Sequence, residues 1–144
     1  MNESLLSRVE EVIMSHGNHS LYGMPAEGYE IDNAEKLLNV RFNEQYIMFI
    51  KRFGGAFGGV AIHAFKNGSL IGKETVVELT QSFRRSYVHS ENEYLLSFYA
   101  ISDDGAGNPL LMNEDGIIII FYHDTHEIDI LYDSLESLLM KSFP

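Results

Sequence analysis

The sequence predicts an α+β fold: a mostly antiparallel β-sheet flanked by helices from the N-terminal half, mid-chain and the C-terminus. Two observations carry this expectation. Apolar residues recur at helical spacing near both ends of the chain and once in the middle. Between residues 94 and 132 they fall instead into short runs divided by turn signals.

Leu5, Leu6, Val9, Val12 and Ile13 trace the first helix, with Ser4 as its cap and Gly17 as its stop. Residues 17–31 read as a loop. Asp32 with Glu35 three positions later forms a capping-box-like start for a second helix carrying Ala34, Leu37 and Leu38. Asn43 caps a third, whose stripe is Tyr46, Ile47, Ile50 and Phe53 with Phe49 beside it, stopped by Gly54 and Gly55. Residues 60–65 alternate as a strand does, and residues 66–69 are a turn. Val76, Val77, Leu79, Thr80, Phe83 and Tyr87 share one helical face. Strands are expected over residues 95–101, Pro109–Met112, residues 117–122 and Ile128–Tyr132, with Asp115-Gly116 as a hairpin signal. Asp133 or Ser134 caps a last helix with Leu135, Leu138, Leu139 and Met140.

The chain has 144 residues, 45% apolar and 22% charged, which argues against disorder and for one domain over 1–144. With no cysteine, disulfides, thiolate catalysis and cysteine-based zinc sites are excluded. No apolar run reaches membrane-spanning length, and the first residues lack the pattern of a signal peptide, so a soluble, cytoplasmic protein is expected. The net charge of −11 is unevenly placed. Residues 1–88 hold ten acids and nine Lys or Arg, whereas residues 89–144 hold eleven acids and only Lys141. Such a field repels nucleic acid and membrane-surface anions and attracts basic partners.

Nucleotide binding finds little support. In "GGAFGG" Ala56 breaks the dinucleotide spacing, and Glu74 after Lys73 stands where a phosphate loop needs Ser or Thr. "DDGAGN" (residues 103–108) and "HDTHE" (residues 123–127) invite a metal or acid–base reading. A metal-dependent hydrolase built on Asp103, Asp104, His123 and His126 is one hypothesis. Yet the acids are adjacent and followed by glycines, which fails the alternate-oxygen pattern of a calcium loop. His123 and His126 lie between strand-like runs and not on a helix, where a zinc motif would need them. Gly105 and Gly107 suit a turn with positive φ, and Asp and Asn side chains can bond nearby backbone there. His16, His19, His63 and His89 have no sequence-near partner and read as exposed or hydrogen-bonded surface positions.

Four stretches in order carry a resemblance: the helix with Ile31, Glu35 and Leu38; "RFNEQYIMFIKRFGG" (residues 41–55); "ISDDGAGNPLLMNEDGIIIIFYHD" (residues 101–124); and "DSLESLL" (residues 133–139). Together they resemble the SUKH superfamily, which includes a yeast cell-wall assembly regulator and many bacterial immunity proteins. The sequence departs from it where the family often has proline, at Asn43, and in having no tryptophan. The resemblance implies a protein-binding α+β domain without enzymatic activity, metal or cofactor. It implies an antitoxin that neutralises a cognate secreted polymorphic toxin, often a nuclease, in the cytoplasm of the producing bacterium. The alternative is a regulatory scaffold for endogenous proteins. Charge and turn placement nominate Asp103, Asp104, Asp124, Glu127 and Asp129 as partner contacts, with Tyr122 and Phe57 as aromatic anchors.

Overall fold

The computed structural model describes residues 1–15 and 19–144; His16 and the expected stop at Gly17 lie outside the described residues. Helix α1 spans Glu3–Ile13 and buries Leu5, Leu6, Val9 and Ile13. Its cap is Asn2, whose side chain accepts the Ser4 N–H, so the expected Ser4 cap is shifted by two residues. Helix α2 (Gly28–Leu38) begins a turn earlier than Asp32. Glu30 reaches back to accept the Glu27 N–H at 3.0 Å, which leaves Glu35 free to accept the Phe42 N–H at 2.8 Å beyond the helix end. The sequence contained two acid pairs at capping spacing, and Ile31 decided between them. The earlier start brings Ile31, at 5% exposure, onto the buried face of the helix with Ala34 and Leu38.

Helix α3 (Glu44–Phe53) starts at Asn43 as expected and ends at Gly54, with φ 66°. Two two-residue strands, β1 (Ala56–Phe57) and β2 (Ala61–Ile62), then pair antiparallel. The alternating run over 60–65 does not stay a strand, because loop contacts consume its backbone groups. The Ala64 N–H goes to Asn67 Oδ1 at 2.9 Å, and Ala64 O accepts the Val76 N–H at 3.0 Å. Helix α4 (Val76–Tyr87) has a full capping box between Thr75 and Glu78. The strand expected over 95–101 is instead a 3₁₀ turn, Glu93–Ser97, followed by β3 (Tyr99–Asp103). The Arg84 guanidinium holds Leu96 O at 2.9 Å and Leu38 O at 2.8 Å, and so pins this turn against the end of α2. Strands β4 (Pro109–Met112), β5 (Ile118–Phe121) and β6 (Ile128–Tyr132) follow, then α5 (Leu135–Ser142), capped by Ser134.

The main sheet has the order β3-β4-β5-β6, antiparallel throughout. Every residue of β5, and all of β4 except Pro109, is buried. Strand side chains alternate between faces, so this sheet needs cover on both sides. On one face Tyr99, Ile101, Leu110, Met112, Ile118 and Ile120 join the core made with α1, α2, α3 and α5. On the other, Ala100, Leu111, Ile119 and Phe121 pack with Leu95 and with Phe83 of α4. Thr80 ties α4 to the sheet edge: its hydroxyl donates to Val76 O and accepts the Ala100 N–H at 2.9 Å.

An aromatic group, Phe42, Tyr46 and Tyr99, joins α3 to β3 with ring centroids 4.6–5.4 Å apart. Its hydroxyls are satisfied: Tyr46 donates to His63 O at 2.6 Å, and Tyr99 accepts the Asn43 N–H at 2.8 Å. Burial pushes both hydroxyl pKa values up, so both stay neutral. His63 is itself buried, not at the surface as expected. Its N–H donates to Ile101 O, and its Nδ1 lies 2.6 Å from Glu74 O, so Nδ1 carries the proton.

Asn43 explains one departure from the family pattern. Its N–H serves Tyr99, its Oδ1 caps α3 at Gln45 N, and its Nδ2 donates to Glu114 O in the β4–β5 hairpin at 2.9 Å. A proline would supply none of the three. We therefore expect Asn43→Ala to lower stability by about 1–2 kcal/mol through the lost cap and tether. Asn43→Pro, which also strands the Tyr99 hydroxyl, should cost more than Asn43→Ala. Urea denaturation of the two variants measures both the loss and its order.

Candidate functional site

In a four-stranded meander the first and third turns lie at the same end of the sheet. The β3–β4 turn, residues 104–108, and the β5–β6 turn, residues 122–127, are therefore neighbours, although the sequence separates them. In the first, Asp103 Oδ1 accepts the Gly105 N–H at 2.6 Å. Asp104 does more: Oδ1 accepts from Ala106 N and Asn108 N, and Oδ2 from Asn108 Nδ2, at 2.8–3.1 Å. These donors, led by the Asn108 side chain, hold the Asp104 carboxyl below its usual pKa. Gly105 and Gly107 take φ of 85° and 89°, as the turn reading anticipated.

The second turn closes through Tyr122 N–H to Glu127 O and His126 N–H to Tyr122 O. Asn108 locks the two turns together. Its Oδ1 accepts the His123 N–H at 3.0 Å and lies 2.7 Å from His123 Nδ1. An oxygen already accepting one proton can only accept a second, so His123 is protonated at Nδ1. Gly107 passes beside the imidazole of His123, and its φ of 89° is what favours glycine there.

The carboxylates of Asp103, Asp104, Asp124, Glu127 and Asp129 thus collect at one end of the sheet and along β6. Among the described residues the ion pairs are those of Arg52 with Glu3 and Glu10, so none of these five carboxylates is in one. Asp129 accepts the Tyr122 hydroxyl at 2.8 Å, and that carboxylate raises the Tyr122 pKa. The 103–108 turn borders a cleft on each face of the sheet. One, ≈ 400 Å³, is lined by Asp104, Leu110, Ile120, Leu131, Tyr132 and Lys141. The other, ≈ 230 Å³, lies between α4 and β3 and includes Phe83, Tyr87 and Asp103.

Six of the seven nominated contacts therefore share this region. Phe57 is on neither turn nor on β6. It sits on β1, half-buried against the larger core, with its N–H donating to Leu21 O. Charge and turn placement missed Ile130 and Leu131, which are 71% and 40% exposed on β6. The signal was present in "IDILY", where an acid alternates with isoleucines, a pattern that suits a half-covered edge strand and not a buried one.

This order of elements, with a turn built on residues 103–108 and a hairpin ending at His123 and Asp124, agrees with a direct family match. The SMI1 / KNR4 family (SUKH-1) matches residues 25–141. The chain belongs to this family. No curated protein matches the chain. SUKH-1 is not a known enzyme family, and it is consistent with proteins of the immunity type.

Within this SUKH-1 domain the side chains of the hydrolase hypothesis have other partners. Both oxygens of Asp104 hold turn amides, and His123 Nδ1 holds Asn108. His126, at φ 63°, lays its ring 5.4 Å from those of Tyr87 and Phe121. Among the described residues no three His, Asp or Glu side chains converge as a metal-binding group. Nor is any described helix long and apolar enough to cross a membrane.

Asp104 should act as the organiser of its turn. Asp104→Ala is expected to speed amide exchange at Ala106 and Asn108 by roughly three- to tenfold, a modest effect because the site is exposed. The depressed pKa sets the pH dependence. The carboxylate's contribution is fully present above the unfolded-state value of ~3.9 and is lost as pH falls through the lower folded value, so that contribution does not change between pH ~5 and 8. Amide NMR of Gly105 to Asn108 across an acid titration checks both statements.

Proposed function

We propose that this SUKH-1 chain is an immunity protein, an antitoxin that binds and neutralises a cognate secreted toxin in the cytoplasm of the producing bacterium. The proposed partner is a toxin whose basic domain, a nuclease in the simplest case, presents a cationic substrate groove. The observation that carries this reading is the set of unpaired carboxylates on the two interlocked turns, Asp103 and Asp104 beside Asp124 and Glu127. Family membership supports the immunity role, and the polarity of charge supports a basic partner.

The action is steric and electrostatic, with no chemical step. Rim carboxylates raise the encounter rate with a basic surface, and the apolar floor of the cleft, Leu110, Ile120 and Tyr132, accepts a partner side chain. Tyr122 is a suitable anchor at the rim, because its hydroxyl is already satisfied by Asp129 and its ring needs no further polar partner. Phe57 is the more remote anchor, next to the β1–β2 connection whose Gly59 and Val60 line the same cleft.

Co-expression with the toxin encoded beside this gene tests the function: complex formation and rescue of growth are expected. Neither complex nor rescue would sink it for that toxin. Asp124→Lys combined with Glu127→Lys should slow association about tenfold at low salt, with the deficit shrinking as salt rises. Stopped-flow association at two ionic strengths reads this directly. A regulatory scaffold is the second reading, favoured by the family's namesake regulator. An isolated gene with no adjacent toxin would favour it.

A further inference from the structure

The two edges of the main sheet are not equivalent. Along β3 the outward backbone is occupied: Ile101 O accepts the His63 N–H at 2.8 Å, and the Ala100 N–H goes to Thr80 Oγ1 at 2.9 Å. Along β6 nothing comparable is present. Among the described residues, no hydrogen bond outside the β5–β6 ladder reaches the backbone of Ile128–Tyr132.

The register says which groups are open. Tyr122 N–H donates to Glu127 O, and hydrogen-bonded pairs alternate along an antiparallel ladder. Asp129, opposite Ile120, therefore turns its amide toward β5, while Ile128 and Ile130 turn theirs outward. The ladder is regular through these three residues and shifts register only beyond Ile130. The side chains point the same way. Ile130 lies across from the fully covered Ile119, on the face that α4 shields, yet is itself 71% exposed. One further strand beside β6 would cover it.

We propose that β6 is a docking edge, and that its occupant is an extended, basic segment of a partner protein that adds to the sheet as a fifth strand. Charge selects this occupant over a second copy of the chain. Asp129 stands on the strand, with Asp124 and Glu127 at one end and Asp133 at the other, so two β6 edges brought together would face carboxylate with carboxylate. A segment alternating Lys or Arg with apolar residues would answer both features. Its backbone takes the open amides, its apolar side chains cover Ile130, and its cations meet Asp129 and the turns. Naming the toxin as the source of that segment rests on the immunity reading; the edge itself does not.

The probe is an octapeptide of alternating Lys and Val, with a second version N-methylated at alternate amides. With the whole chain, amide NMR is expected to show the first peptide shifting Ile128 and Ile130 and slowing their exchange at least tenfold. The methylated peptide, with the same charge, is expected to lose that protection. Equal binding by both peptides, protection located elsewhere, or no binding would overturn the proposal. This comparison alters the peptide only, so it does not depend on any variant folding. Ile130→Pro then carries the test to the toxin, since proline at an outward-facing edge position spares the β5 ladder. Rescue should fall with an unchanged unfolding midpoint. If the native chain and Ile130→Pro rescue equally, the toxin is ruled out as the source of the added strand and the immunity reading stands. If the native chain itself neither binds nor rescues, the immunity reading fails, and the peptide result alone decides the edge.

Discussion

The burial of β4 and β5 on both faces is the constraint from which the rest of the structure follows. Leu110, Leu111, Met112 and the whole of β5 have no polar side. Two-sided apolar strands are stable only between two layers, so helices must come from both ends of the chain to one face, and α4 must cross the other. At about 25 cal/mol per Å² of apolar surface, leaving either face bare would cost more than a small domain's net stability. The tyrosines at the α3–β3 contact show how polar atoms survive in that interior. Each hydroxyl meets a backbone group, and Asn43 supplies one of them while also capping α3 and holding the hairpin.

The same constraint expels charge. With both faces of β4 and β5 covered, the sheet carries its carboxylates in its turns and along β6, and Asp103, Asp104, Asp124 and Glu127 gather at the end where the β3–β4 and β5–β6 turns meet. What resembles a ligand cluster in the sequence is there a pair of self-satisfied turns. Asp103 and Asp104 hold the amides of their own turn, and Asn108 and His123 fasten the turns to each other. The result is a rigid acidic rim beside an apolar cleft. If this surface meets the proposed partner, its hydrogen-bonded turns leave little ordering to be done on binding.

Much of this was legible in the residues. The periodicity of α3, α4 and α5 and the runs of β4, β5 and β6 are local patterns, and a local pattern survives folding when burial agrees with it. The errors arose where two local signals competed. Glu27 with Glu30 and Asp32 with Glu35 are both capping pairs; burial of Ile31 selected the first and gave Glu35 to Phe42. Residues 60–65 alternate like a strand, but Asn67 takes the Ala64 N–H and Val76 takes the Ala64 O, so the pairing stops after two residues. His63 has no partner nearby in sequence because its partner is Glu74 O, reached only through the loop.

The sequence by itself determined the class of fold, the order of its elements, the family resemblance and the polarity of charge, because these depend on composition and on spacings of a few residues. Only the tertiary structure decided that residues 103–108 and 123–127 form one surface, that Phe57 stands apart from it, and that β6 is the open edge. Those facts depend on strand order and on which neighbour fills each backbone valence. Both are settled by long-range burial, which no short stretch of sequence contains.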